Sequence, residues 1–160
     1  MSYFNYNRLK TKEYAKKFAY KRNPKFYAFD YIGGDCTNFV SQCIYAGCKV
    51  MNYAKTFGWY YNSLSDRSPS WSGVEFLYNF ITTNKGVGPY GELVNKSDID
   101  IGDVIELGNE NGKFYHSAII TKVDNGNIFV ASHNRDGFDI PLSNFYYAQI
   151  RYIAILGAKK

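Results

Sequence analysis

A chain of 160 residues lies within the size of one domain and is long enough to bury a core without disulfide staples. Hydrophobic residues at 46% and charged residues at 21% match ordinary globular usage, which excludes a disordered tail, a collagen and a coiled coil. The net charge of +5 favours anionic partners without naming one, and 16 Tyr with 12 Phe suit half-buried positions along a groove as well as a core.

The N-terminus, MSYFNYNRLKTKEYAKKF, has no apolar stretch followed by small residues and does not read as a signal peptide. No run approaches 18 apolar residues, so no membrane span is expected. The expectation is one domain over residues 1–160, intracellular, released by lysis, or cut from a longer exported protein. Asn7 to Lys21 reads as a helix capped by Asn7, with Leu9, Ala15, Phe18 and Ala19 near one stripe and Asn23-Pro24 as its stop. Its basic outer face reads as a solvated surface rather than a nucleic-acid patch.

Gly33-Gly34-Asp35 then breaks the chain, and Cys36 to Ala46 reads as a short buried helix stopped by Gly47. Three cysteines, Cys36, Cys43 and Cys48, form no CxxC pair. On one helix Cys36 and Cys43 stand about 10 Å apart, beyond bridging distance, so at least one thiol is free. With two histidines in the chain and no paired spacing near the thiols, neither a zinc site nor a cofactor is expected. A third helix is expected from about Ser72 to Thr82, with Ser72 and Glu75 as a capping box. Beyond Gly91 the period becomes alternating. Asp103–Leu107, Phe114–Val123, Ile128–His133 and Ile150–Leu156 read as strands. Helices first and strands second predict an α+β fold with N-terminal helices packed on a C-terminal antiparallel sheet.

Cys36 opens a helix, where unpaired N–H groups and the positive end of the dipole favour a thiolate. Its own N–H is a candidate oxyanion donor. Cys43 and Cys48 read as core. His116 sits in a strand beside Ala118 and Ile120, and a Cys at a helix start with a His and an orienting polar group is the papain-type arrangement. The third group is His133 or Asn134. If Asn125-Gly126 is a two-residue type I′ turn, Ala118 lies opposite His133, which then shares the face of His116. A register shifted by one residue presents Asn134 instead. Strand parity favours His133.

Gly33-Gly34-Asp35-Cys36-Thr37-Asn38-Phe39-Val40-Ser41-Gln42, Phe57-Gly58-Trp59-Tyr60, Gly102-Asp103-Val104-Ile105 and Tyr115-His116-Ser117-Ala118-Ile119-Ile120 resemble the putative amidase family of clostridial and bacillar proteins, related to the NlpC/P60 and CHAP cysteine peptidases. The resemblance covers about residues 6–155. It implies a papain-like fold with Cys36 as nucleophile, His116 as general base and acid, and a third polar residue from Ser132-His133 or Asn134. Tyr31 and Asp35 are expected at the oxyanion or substrate side, and Trp59, Tyr60 and Trp71 along the groove, though each also suits a core. The expected activity is hydrolysis of a peptidoglycan amide, at the N-acetylmuramoyl-L-alanine bond or within the stem peptide, by a monomer acting at the cell wall. A non-catalytic wall-binding module is the further alternative. A nucleic-acid partner is disfavoured, because the basic residues are dispersed and no aromatic single-strand binding pattern appears.

Overall fold

The computed structural model describes residues 1–160. A short strand β1 (Tyr3–Phe4) leads into α1 (Arg8–Phe18), whose N-cap is Asn7: its side chain accepts from the Lys10 N–H at 3.1 Å. After a long connection comes α2 (Cys36–Cys48), buried along nearly its whole length. Gly47 does not stop this helix, which ends with Lys49 in the left-handed conformation. The glycine serves the crossing with α1 instead, since a Cβ there would overlap Thr11 and lie 2.5 Å from the Tyr6 ring.

A two-stranded ribbon, β2 (Tyr61–Ser63) with β3 (Asp66–Arg67), precedes two helices, α3 (Pro69–Ser72) and α4 (Val74–Thr83). The expected capping box is absent: Gly73 caps α4 without a side-chain bond. Ser72 accepts from Arg67, and Glu75 pairs with Arg151.

The remaining strands are β4 (Gly88–Val94), β5 (Val104–Gly108), β6 (Phe114–Asp124), β7 (Asn127–Ser132), β8 (Gly137–Pro141) and β9 (Gln149–Lys159). All pair antiparallel in one seven-stranded sheet, ordered β1-β9-β5-β6-β7-β8 with β4 on the other edge of β9. The fold is therefore α+β with an antiparallel sheet. One face, with Val104, Ile119, Ala131, Ile153 and Ile155, meets the helices through Phe39, Val40, Ile44, Leu77 and Ile81. The opposite face, with Ile105, Leu107, Ala118, Ile120 and Val130, is covered by Leu142, Ile140 and Phe145. No helix is long and apolar enough to cross a membrane.

Asn125 and Gly126 both take positive φ, at 50° and 79°, the two-residue I′ turn expected between β6 and β7. Asp124 faces Asn127, and Lys122 faces Phe129, but Ile120 then pairs with Val130 and Ile119 with Ala131. Thr121 is bulged out, with its hydroxyl on Asp139 at 2.7 Å. That extra residue shifts the register beyond it and sends His133 to the face opposite the one expected.

Candidate active site

The start of α2 is fastened from three sides. Gly33 and Gly34 take positive φ, at 82° and 99°, a conformation glycine adopts without steric cost. A Cβ on Gly34 would stand 3.0 Å from Asn134 Oδ1, and that oxygen accepts the Asp35 N–H. Asn134 is itself left-handed, with φ 65°. Asp35, 1% exposed, is a hub. Its Oδ1 accepts from the Phe29 N–H at 2.8 Å and Asn38 Nδ2 at 2.8 Å. Its Oδ2 meets His133 Nδ1 at 2.5 Å and Arg22 Nε at 3.6 Å. Arg22 also holds Asp30 and Asp136.

His133 completes this anchor and does not orient His116. Its ring stacks on Phe39 at 4.0 Å, and Nε2 lies 2.7 Å from Phe18 O. A carbonyl only accepts, so Nε2 carries a hydrogen, while Nδ1 shares one with the Asp35 carboxylate. Strand parity misplaces His133 because of the bulge at Thr121. Asn134 does not replace it beside His116, since its side chain is spent on the Asp35 N–H. Asp35 likewise has both oxygens occupied inside the protein and is not exposed to a substrate.

The first intrahelical bond runs from the Phe39 N–H to Asp35 O, leaving the amides of Cys36, Thr37 and Asn38 as the unpaired donors of the helix start. Cys36 is 7% exposed. Burial pushes its thiol up, opposed by hydrogen bonding from the Ser117 backbone and from Thr37. The thiolate expected from the helix position alone is thus outweighed by desolvation. The Ile120 N–H points to Asp103 O, so strand alternation turns the Ser117 N–H to the other edge of β6, where β7 has ended at Ser132. Cys36 approaches this stretch of β6 through its neighbour Thr37, whose Oγ1 is 3.0 Å from Ser117 Oγ.

His116 shares its face of β6 with Ala118 and Ile120. Its ring packs on Phe145 at 5.7 Å, and its Nε2 is buried with no hydrogen-bond partner. Burial, with the Arg135 charge in the same direction, pushes its pKa down to about 4. Thiol and imidazole are therefore both neutral at rest, the first on the helix-facing side of β6 and the second on its other face.

The expected groove aromatics are elsewhere. Trp59 and Trp71 are at 0% exposure, with indole N–H groups on Ser41 Oγ at 3.0 Å and Asn38 Oδ1 at 2.9 Å. They are core, because two large rings between α2 and α4 bury more apolar area than a groove wall would. Tyr60 is buried and donates to Asp66 at 3.0 Å. Tyr31 is fully exposed and touches neither Cys36 nor an oxyanion position. The aromatic that packs on His116 is Phe145; the residues next to these two in the chain, Tyr115 and Tyr146, line with Tyr147, Asn109 and Asn111 an open hollow of about 510 Å³ that includes neither His116 nor Cys36. Glu106, not among the residues expected at the site, is fully buried and bonded to Ser117 and Arg151. A carboxylate at the centre of the strand Asp103–Leu107, between Ile105 and Leu107, was the available signal. No cluster of three or more His, Cys, Asp or Glu side chains is arranged to hold a metal ion.

Fold and site together define an α+β protein with a cysteine at a helix start, set against a strand that carries a histidine. The chain belongs to the family described as "Putative amidase domain", which matches residues 5–155. Among its relatives, the Bacillus subtilis uncharacterized protein YhbB is 33% identical over 128 residues, covering 78% of this chain and 40% of that protein. The uncharacterized protein YjcM of the same organism is 30% identical over 137 residues, covering 81% of this chain and 31% of that one. The chain thus spans less than half the length of these relatives. No solved structure matches it.

Proposed function

We propose that the protein hydrolyses an amide bond of peptidoglycan through a thioester on Cys36, as an N-acetylmuramoyl-L-alanine amidase of papain-like type, akin to the NlpC/P60 and CHAP enzymes. One observation carries the reading: the helix that opens with Cys36 meets β6 at the residue after His116, Thr37 Oγ1 lying 3.0 Å from Ser117 Oγ, and His116 Nε2 is buried without a partner. An unpaired buried nitrogen costs stability, and a reacting proton would be its partner.

In this reading the His116 side chain, neutral at rest, swings round the edge of β6 that β7 leaves free beyond Ser132 and takes the Cys36 thiol proton as sulfur attacks the carbonyl. The oxyanion is met by the Cys36 N–H at the start of α2. The imidazolium gives its proton to the leaving amine, forming the thioester. Water then attacks with His116 as base, and the thiol returns with release of the acid. The hollow lined by Tyr115, Tyr146 and Tyr147 would take sugar or peptide, and the net charge of +5 suits an anionic wall. The protein would act outside the cell or after lysis, as a monomer or as one part of a longer chain.

The test is incubation of purified peptidoglycan with the protein and with Cys36→Ala, and mass spectrometry of the soluble products. Free lactyl carboxyls and new alanine N-termini are expected with the unaltered protein alone. Cleavage within the stem would make it an endopeptidase. Wall binding without release would make it a binding module, and equal release by Cys36→Ala would remove the nucleophile.

A further inference from the structure

A line of buried side chains leads away from the nucleophile on the helix-facing side of the sheet. Cys36 Sγ is 3.8 Å from Thr37 Oγ1, Thr37 Oγ1 is 3.0 Å from Ser117 Oγ, and Ser117 Oγ donates to Glu106 Oε2 at 3.1 Å. Thr37, Ser117 and Glu106 are all at 0% exposure. Glu106 stands opposite Ser117 in the β5–β6 register. The far end is closed by Arg151 of β9, whose Nε and Nη2 both donate to Glu106 Oε1, at 2.9 and 2.6 Å. The guanidinium is held between the rings of Tyr78 and Phe114, at 3.7 and 3.9 Å, and reaches Glu75 of α4 at 3.0 Å. The two Glu106 oxygens are therefore used differently, Oε1 receiving Arg151 and Oε2 ending the line.

The direction of the line follows from counting hydrogens. An ionised carboxylate only accepts, so the Ser117 hydrogen points to Glu106, the Thr37 hydrogen to Ser117, and a Thr37 lone pair faces the thiol S–H. The reverse polarity requires a protonated Glu106, which donates to Ser117, as Ser117 does to Thr37 and Thr37 to a thiolate. Three proton shifts connect the two. The S–H proton passes to Thr37, the Thr37 proton to Ser117 and the Ser117 proton to Glu106, leaving a thiolate and a neutral carboxyl with net charge unchanged.

We propose that Cys36 and Glu106 share one proton across Thr37 and Ser117, so that Glu106 is a positioning residue that governs ionisation of the nucleophile. This rests on the reading of Cys36 as the nucleophile. Burial pushes Glu106 up to about 7 despite Arg151, with the Glu75 charge adding to the rise. The other charged groups facing this carboxyl are Arg151 and Glu75. From α2 it meets the Cys36–Thr37 pair, from β6 the Ser117 hydroxyl, and His116 lies on the opposite face of that strand.

The test needs no substrate: the rate of Cys36 alkylation by iodoacetamide is followed against pH in the intact protein, with the Cys36 peptide quantified by mass spectrometry. Ser117→Ala leaves the Thr37 hydroxyl with sulfur as its acceptor, and the inflection falls by about one pH unit. Thr37→Val removes the last link, and the inflection does not fall. Glu106→Gln keeps a carbonyl on Arg151 and turns an amide N–H to Ser117, which reverses the line and lowers the inflection. In the Thr37→Val background that effect is lost. If Ser117→Ala and Thr37→Val act alike, or Glu106→Gln acts undiminished without Thr37, the sharing is refuted. Ser117→Ala and Thr37→Val leave the Glu106–Arg151 pair in place and decide the matter if Glu106→Gln does not fold. Peptidoglycan release judges the hydrolase reading and alkylation judges the line, so either can fail alone.

Discussion

Replacing His116 with Asn tests the environment of the imidazole without any substrate. The ring is 9% exposed, its Nε2 has no partner, and burial lowers its pKa from 6.5 to about 4. At ~1.4 kcal/mol per pH unit, that displacement corresponds to about 3 kcal/mol. The sign follows from proton counting: between pH 6.5 and about 4 the unfolded chain protonates this side chain and the folded protein does not. The folded state therefore loses stability as pH falls through that window, and the contribution is constant above 6.5. Asn does not titrate, so the stability of the unaltered protein minus that of His116→Asn should drop by about 3 kcal/mol from pH 7 to pH 4. Urea unfolding of both proteins at half-unit pH steps gives the difference, in which other titrating groups cancel. A difference that stays flat would mean that the imidazole is solvated or paired in the folded state, and the account of a buried neutral base would be wrong.

His133→Ala removes both bonds of a buried ring and leaves Asp35 with Arg22 as its nearest charge at 3.6 Å. Unfolding in urea should show a loss of about 3–5 kcal/mol, and alkylation should report a disordered start of α2; unchanged stability with lost hydrolysis would restore His133 as an orienting residue. Trp71→Ala should cost about 3–5 kcal/mol in the same measurement, because the ring is at 0% exposure and its N–H holds Asn38. Weaker binding of peptidoglycan fragments at full stability would instead put Trp71 on the substrate groove.

Much of the local structure was legible in the chain. Asn7 caps α1 because its short side chain reaches the Lys10 N–H three residues on. The Asn125-Gly126 turn forms because both residues tolerate positive φ. Cys36 opens α2 because two glycines allow the sharp entry and an apolar period follows it. Those signals lie within a few residues of what they specify, so composition and spacing determined the α+β order and the place of the cysteine. What the chain could not reveal depends on groups far apart in sequence. One bulge at Thr121, anchored by Asp139, decides which face of the sheet carries His133. The indole partners Ser41 and Asn38 decide that Trp59 and Trp71 are core. Glu106 joins the line of side chains that ends at Cys36 only when β5, β6, β9 and α2 pack together, because its bonds to Ser117 and Arg151 and the Ser117–Thr37 bond join residues that no local period relates.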